Sequence, residues 1–134
     1  MTPFHLKIVT PDGLIFDGQA EELIVRTNRG DVGILARHMD YVAPLGMGRA
    51  VIVSGGQRRT AACIGGMVSV CKGEVTLVPT TFEWAEKIDK ERAEAAYQKA
   101  EKVLRDQNAS DTDLRLAEAK LHRALVRKSV ASGL

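Results

Sequence analysis

The chain is poor in the residues on which several specialised functions depend. Aromatic side chains fill only 4% of its 134 positions, so it offers no row of rings for stacking nucleic-acid bases. The formal charge is +2, too close to neutral for the basic stripe of a nucleic-acid binder, and no nucleic-acid partner is expected. No apolar run approaches the roughly 18 residues that cross a bilayer. The N-terminal residues alternate in character, with His5 and Lys7 among them, and lack the continuous apolar core of a signal peptide. A protein that stays in the cytosol is the expectation. There are two cysteines, Cys63 and Cys71, both in apolar, strand-like surroundings. They read as reduced thiols packed as small apolar groups, since two cysteines without clustered histidine supply too few ligands for zinc.

Catalytic patterns are equally scarce. His5, His38 and His122 fall in different elements with no ligand spacing, so no metal is expected. There is no G-x-S-x-G elbow and no G-x-x-x-x-G-K phosphate loop. Gly46-Met47-Gly48 is too short for a dinucleotide fingerprint. A small β-barrel enzyme with a helical lid would need converging titratable groups, and none are visible. No catalytic residue is expected; the chain reads as a binder of partners.

What is present divides into two compositions. Up to Trp84 the chain reads as short strands and turns. Phe4, Leu6 and Ile8 alternate with His5, Lys7 and Val9, the period of a half-buried strand. Thr10-Pro11-Asp12-Gly13 marks a turn before a strand over 14–17. Further strands are predicted over 20–27, 48–53, 59–64, 67–71 and 74–78. Ser54-Gly55-Gly56-Gln57 and Lys72-Gly73 stand as hairpin turns. Strands at this spacing suggest an all-β sandwich or barrel. Consecutive apolar residues in some strands favour a sandwich. The expected β domain spans 1–84.

From 85 to 134 the composition changes, with no glycine or proline before Gly133. A helix is predicted over 88–105, with Ala93, Ala96, Tyr97, Ala100, Val103 and Leu104 on one side. Asn108-Ala109-Ser110-Asp111 interrupts it. Ser110 is a candidate N-cap, with Asp113 completing a weak capping box. A second helix over 112–130 carries the stripe Leu114, Ala117, Leu121, Ala124 and Leu125. So short a break implies an antiparallel hairpin. Burying alanine contributes far less than burying leucine at roughly 25 cal/mol per Å². A hairpin that detaches and one that stays fixed both remain open.

Three features are candidate sites. Residues 30–38 hold two glycines around an apolar residue, either a bend between strands or a docking loop presenting Asp31, Arg37 and His38. Ile88-Asp89-Lys90-Glu91-Arg92-Ala93 reads either as a capped helix start or as a phosphate site through Arg92. The second reading gains from Glu83 just upstream and from Arg123 and Arg127, four apart on one helical face. From Asp113 onward the second helix has five Lys and Arg against two carboxylates, either a solvated face or one for an acidic partner.

The order of these features resembles the epsilon subunit of bacterial F-type ATP synthases, the counterpart of the mitochondrial delta subunit. The residues that carry the resemblance span nearly the whole chain. They are Phe4-His5-Leu6-Lys7-Ile8-Val9-Thr10-Pro11, the 30–38 loop, Leu45 with Gly48, Gly65-Gly66 before Met67, Val75-Thr76-Leu77, and Ile88-Asp89-x-x-Arg92-Ala93.

The resemblance implies a ten-stranded β-sandwich followed by an antiparallel two-helix hairpin. It implies a non-catalytic central-stalk subunit that binds the gamma subunit and the c-subunit ring, rotates with them and couples proton flow to rotation. It implies that the extended helices reach the alpha and beta subunits and restrain ATP hydrolysis. A peripheral place on the cytoplasmic face of the bacterial plasma membrane follows from membership of that complex. No cofactor is required, and ATP is a regulatory ligand in some members. By position, Asp31 and His38 match the loop facing the c ring. Ile88, Asp89, Arg92 and Ala93 match the ATP motif, and Glu83, Arg123 and Arg127 match polar groups around the nucleotide. A stand-alone ATP-sensing module is the alternative. The chain departs from the usual pattern at Ala36, Asp40-Tyr41, Met67 and Lys99.

Overall fold

The structure, a computed structural model, describes residues 2–133. Alternation builds its first strand, β1 (Phe4–Thr10). Phe4, Leu6 and Ile8 are buried, and Lys7 between them faces out. Nine strands follow: β2 (Gly13–Ala20), β3 (Glu22–Thr27), β4 (Gly30–Ile34), β5 (Tyr41–Pro44), β6 (Met47–Ser54), β7 (Gln57–Ile64), β8 (Met67–Cys71), β9 (Glu74–Val78) and β10 (Thr81–Trp84). They form two five-stranded sheets, ordered β2-β1-β9-β8-β5 and β10-β7-β6-β3-β4. The pairs are antiparallel except β1 with β9, which run parallel. The expected ten-stranded sandwich is the fold observed.

The two sheets close on one core. Leu6, Ile8, Val68, Val70, Val75 and Leu77 come from the first sheet; Leu23, Val25, Ile34, Ala50, Ile52 and Ala61 come from the second. Cys63 joins this core, and burial pushes its thiol up to about 12. Cys71 differs from the expectation: it ends β8 on the outward phase and is exposed.

Two threonines anchor matching turns. Thr10 Oγ1 accepts from Asp12 N at 3.2 Å, and Thr27 Oγ1 accepts from Arg29 N at 3.1 Å while donating to Gly30 O at 2.8 Å. These bonds let both hydroxyls be buried without loss. Gly65-Gly66 carries the chain from one sheet to the other. A Cβ on Gly66 would come within 2.0 Å of the Val78 carbonyl oxygen, so only glycine permits this approach.

Boundaries move where side chains compete with the backbone pattern. The strand predicted over 20–27 begins at Glu22, because Ala20 closes β2 opposite Phe4. Residues 30–34 are a strand, not a free loop, paired with β3 at the sheet edge. β4, β5 and β10 were not legible from periodicity: β5 and β10 have four residues each, and β4 holds two glycines in five positions.

The chain separates into two compact units, Met1–Trp84 and Ala85–Leu134. The second begins with a 3-10 turn (Ala85–Lys87), followed by α1 (Lys90–Leu104) and α2 (Asp111–Ala131). The first helix starts at Lys90, not residue 88, because Asp89 is extended and its carboxylate accepts from Arg92 N at 3.0 Å. On α2 the box is complete: Asp113 N donates to Ser110 Oγ at 3.1 Å, and Ser110 N donates to Asp113 Oδ2 at 3.4 Å. Ala100 on α1 and Ala117 and Ala124 on α2 are buried, whereas Leu125 of the expected stripe is exposed. The hairpin is thus joined mainly through alanines. Lys128 adds a bond to Glu94 at 2.5 Å and lies 4.1 Å from the Tyr97 ring centroid. The lysine bond, followed by that from Gln98, lowers the Glu94 pKa.

Candidate functional site

The helical hairpin holds a groove of about 440 Å³ between its two helices. That volume falls in the range of small-ligand sites. Its floor is aliphatic, with Ala96, Ala100 and Val103 from α1 and Leu116 and Ala117 from α2. Lys99, Lys120, Arg123 and Arg127 line it together. Asp106 and Asp113 stand at the end nearest the helix connection. The small floor residues let the helices approach while long cationic side chains rise at the rim. Such a trough can hold a polyanion with an apolar body.

The expected phosphate residues divide between this groove and the start of α1. Arg123 and Arg127 line the groove; Ile88, Asp89, Arg92 and Ala93 do not. Arg92 lies one turn N-terminal to Ala96, on the helical face that also carries Lys99. Asp89 is the N-cap of α1, which gives its carboxylate a structural task. Ile88 and Ala93, both buried, take the positions flanking that cap where a hydrophobic staple forms. The Ile88-Asp89-x-x-Arg92-Ala93 motif therefore has a complete folding rationale of its own. Glu83 belongs to the other unit, on β10. Lys120 was read from the sequence only as one of the cations on the basic second helix, not as a phosphate residue; its spacing to Arg123 and Arg127 was the available signal.

Asp31 and His38 are not brought together. Asp31 pairs on β4 with Arg26 of β3, Nε to Oδ1 at 2.8 Å. His38 lies beyond the other end of β4, where its Nδ1 donates to the Met39 carbonyl at 2.7 Å and its ring meets Tyr41 edge-on. His38 lines an open depression of about 540 Å³ with Arg37, Met39, Asp40, Lys72 and Glu74; Asp31 does not. Arg37 holds the loop in a left-handed conformation at φ 65°.

The outer face of the first sheet carries two further features. His5 bridges three adjacent strands: Nε2 meets Asp17 Oδ1 of β2 at 2.6 Å, and Nδ1 meets Glu74 Oε2 of β9 at 2.5 Å. The bond to Asp17, then that to Glu74, raises the His5 pKa. Toward the other end of that face runs an apolar row. Leu14 on β2 opposes Val9 on β1, and Val78 on β9 opposes Met67 on β8, which opposes Pro44 on β5. Val78 adjoins Val9, one step past the Ile8 and Leu77 pair. At about 4.8 Å per strand the row extends roughly 19 Å. Leu14, Met67 and Val78 are each about half exposed, at 58%, 47% and 45%. The sequence reading missed this row. Its signal was apolar residues on the outward phase of strands whose inward phase was already apolar.

Comparison with known proteins adds a family. A model for the ATP synthase, Delta/Epsilon chain, beta-sandwich domain matches residues 3–85, and one for the long alpha-helix domain matches 86–132. The ATP synthase epsilon chain of Bacillus velezensis is 44% identical over 131 residues, covering 98% of each chain. That of Bacillus subtilis is 46% identical over 131 residues with the same coverage. Among solved structures, a chain of the Euglena gracilis mitochondrial ATP synthase (OSCP/F1/c-ring) superposes with a TM-score of 0.85 at 23% identity. The match covers 96% of this chain and 81% of that one. A chain of the Tetrahymena thermophila mitochondrial ATP synthase central stalk/c-ring gives a TM-score of 0.63 at 11% identity, with 95% of both covered. These two structural likenesses speak to the fold.

Proposed function

The chain belongs to the ATP synthase delta/epsilon chain family, and from that premise we propose that it is a non-catalytic central-stalk subunit of a proton-translocating F-type ATP synthase. It joins the rotor through its sandwich, couples proton flow to rotation, and restrains ATP hydrolysis through its helices. No helix among the described residues is long and apolar enough to cross a membrane. Its place is peripheral, on the cytoplasmic face of the bacterial plasma membrane, held through the complex.

The observation that carries this reading is the apolar row Leu14, Val9, Val78, Met67 and Pro44. An exposed apolar strip across a five-stranded sheet is what a stable protein partner covers. The gamma subunit is the proposed occupant. The depression around His38 is the proposed contact with the c ring. The alanine-joined hairpin supports a detachable element, because its interface buries little apolar area. Extended, it would reach the alpha and beta subunits. The groove cations, with Arg92 one turn from Ala96 on the same face of α1, support ATP as a regulatory ligand that favours the folded hairpin.

Reconstitution with a catalytic complex lacking this subunit tests the proposal. The full chain is expected to lower ATP hydrolysis, and a truncation ending near Glu86 to bind without lowering it. Val78→Glu is expected to abolish binding. Equal effects of the full chain and the truncation would remove the inhibitory role. Calorimetry with ATP, repeated on Arg92→Ala and Arg127→Ala, tests the ligand. The groove also favours a stand-alone ATP-sensing module, which ATP binding without any association with the catalytic complex would establish instead.

A further inference from the structure

The first sheet consists of two antiparallel pieces joined by one parallel seam. In the order β2-β1-β9-β8-β5, the pairing of β1 with β9 joins β2-β1 to β9-β8-β5. That seam has three rungs: Leu6 with Val75, Lys7 with Thr76 and Ile8 with Leu77. The antiparallel pairs have seven rungs between β1 and β2, five between β8 and β9, and four between β5 and β8. Parallel pairing is also slightly weaker per residue. The seam is therefore the weakest join in this sheet.

Outward side chains extend the seam past both of its ends. One step before the first rung, His5 of β1 meets Glu74 of β9 and reaches diagonally to Asp17 of β2. One step past the last rung, Val9 adjoins Val78 within the exposed apolar row.

The geometry at His5 fixes its charge. Nε2 lies 2.6 Å from Asp17 Oδ1 and Nδ1 lies 2.5 Å from Glu74 Oε2, and ionised carboxylates only accept. A neutral imidazole has one N–H, so its bare nitrogen would face an oxygen lone pair. Only the imidazolium donates to both. The neighbouring strands complete this setting. On β1, Lys7 stands opposite Asp17, and on β2 the uncharged Gln19 stands opposite His5. On β8, Cys71 stands opposite Glu74. Glu74 also borders the depression that holds Arg37, His38, Asp40 and Lys72. Loss of the His5 proton leaves one of its two carboxylates without a donor, and the link from β2 through β1 to β9 is broken.

We propose that His5 is a proton-operated strap on the β1–β9 seam, so that protonation at one end of the seam and protein binding on the apolar row at the other favour each other. The imidazolium holds the junction from the Glu74 end, and a covering partner holds it from the Val9 and Val78 end. Linkage makes the effect reciprocal: protonation tightens the partner by the same factor by which the partner favours protonation. The proposal rests on the reading of the apolar row as a partner face and adds control of that face by pH.

The test measures the dissociation constant of the full chain for the catalytic complex lacking this subunit, from pH 6 to pH 9. His5→Gln and Glu74→Gln are measured beside the parent, and far-UV circular dichroism checks that both fold. The ratio of variant to parent cancels groups that titrate in the partner. The parent is expected to weaken about threefold relative to either variant as pH rises, the scale of one exposed ion pair. Hydrogen exchange of the isolated chain, corrected for the intrinsic effect of pH, is expected to show the Leu6–Ile8 and Val75–Leu77 amides losing protection over the same range in the parent alone. A constant ratio with binding intact would overturn the strap and leave the partner face standing. A pH dependence retained in Glu74→Gln would also overturn the strap, since the effect would then bypass the seam. Parent-like binding by Val78→Glu would overturn the partner face and, with it, the coupling.

Discussion

Replacing Gly66 by alanine separates backbone strain from steric exclusion. Gly66 has φ 91°, where an L side chain costs about 1–2 kcal/mol. Its new methyl would also lie 2.0 Å from Val78 O and 2.7 Å from the Pro79 Cα, both backbone atoms that no rotamer change can move. Relief requires parting the Gly66 and Val78 backbones until that contact exceeds 3.0 Å. Two hydrogen-bonded features sit at this point: Leu45 N donates to Gly66 O at 2.8 Å, and Met67 pairs with Val78 on the first rung of β8 and β9. Weakening both adds about 2 kcal/mol at roughly 1 kcal/mol per bond. The expected destabilisation is about 3–4 kcal/mol, which lowers a urea midpoint by about 2 M. Gly73→Ala is the control for strain alone, because φ is 82° and nothing lies within 4 Å; about 1–2 kcal/mol is expected. Gly33→Ala, with neither strain nor a neighbour, should stay within about 0.5 kcal/mol of the parent. Urea unfolding followed by the fluorescence of Trp84, the single tryptophan, which packs on Phe82 in the sandwich, reads all three. Equal midpoints for Gly66→Ala and Gly73→Ala would refute the close approach of Gly66 to Val78.

Three further outcomes are expected. Ser110→Ala removes one half of the α2 capping box and should cost about 1 kcal/mol, seen as an earlier thermal loss of helical circular dichroism; no change would mean that the box is not formed in solution. Ala124→Leu forces a large side chain into the buried seam of α1 and α2 and should cost about 1–3 kcal/mol, whereas the same change at exposed Ala95 should not. The His5 bridge predicts a pH dependence of sandwich stability. Its pKa is raised on folding, so its contribution is complete below about 6.5 and is lost as pH rises through the folded value. Asp17 is lowered by the same bond, so its contribution is present above about 3.8 and is lost as pH falls through its folded value. Thermal midpoints should therefore fall from pH 6 toward pH 9 in the parent and stay level in His5→Gln. Parallel curves would show that the bridge contributes nothing.

Much of this architecture could be read from local pattern. Phe4, Leu6 and Ile8 announce β1, and Lys72-Gly73 announces the turn between β8 and β9. Ser110 with Asp113 announces the start of α2. Each is a short-range signal that acts within a few residues, so periodicity and turn chemistry report it directly. Short strands were less visible. β5 and β10 have four residues each, too few to display a period, and only their ladders to β8 and β7 define them. The candidate site was half legible. Arg123 and Arg127 were found from their spacing, but Lys99 and Lys120 enter the groove because two helices fold back on one another. Asp31 and His38, seven positions apart, looked like one loop; the strand between them carries them to different places.

The sequence by itself determined the two compositions, the strand and helix periods, and the cap that starts the second helix, because these depend on neighbours along the chain. The tertiary structure alone decided which outward residues form a continuous apolar row, and which cations share a groove. Both are relations between distant segments, set by strand order and by the antiparallel seam of alanines. Sheet order places Val9 beside Val78 and Met67 beside Pro44. The thinness of the alanine seam lets the rims of two helices stand close enough for four positive side chains to line one groove.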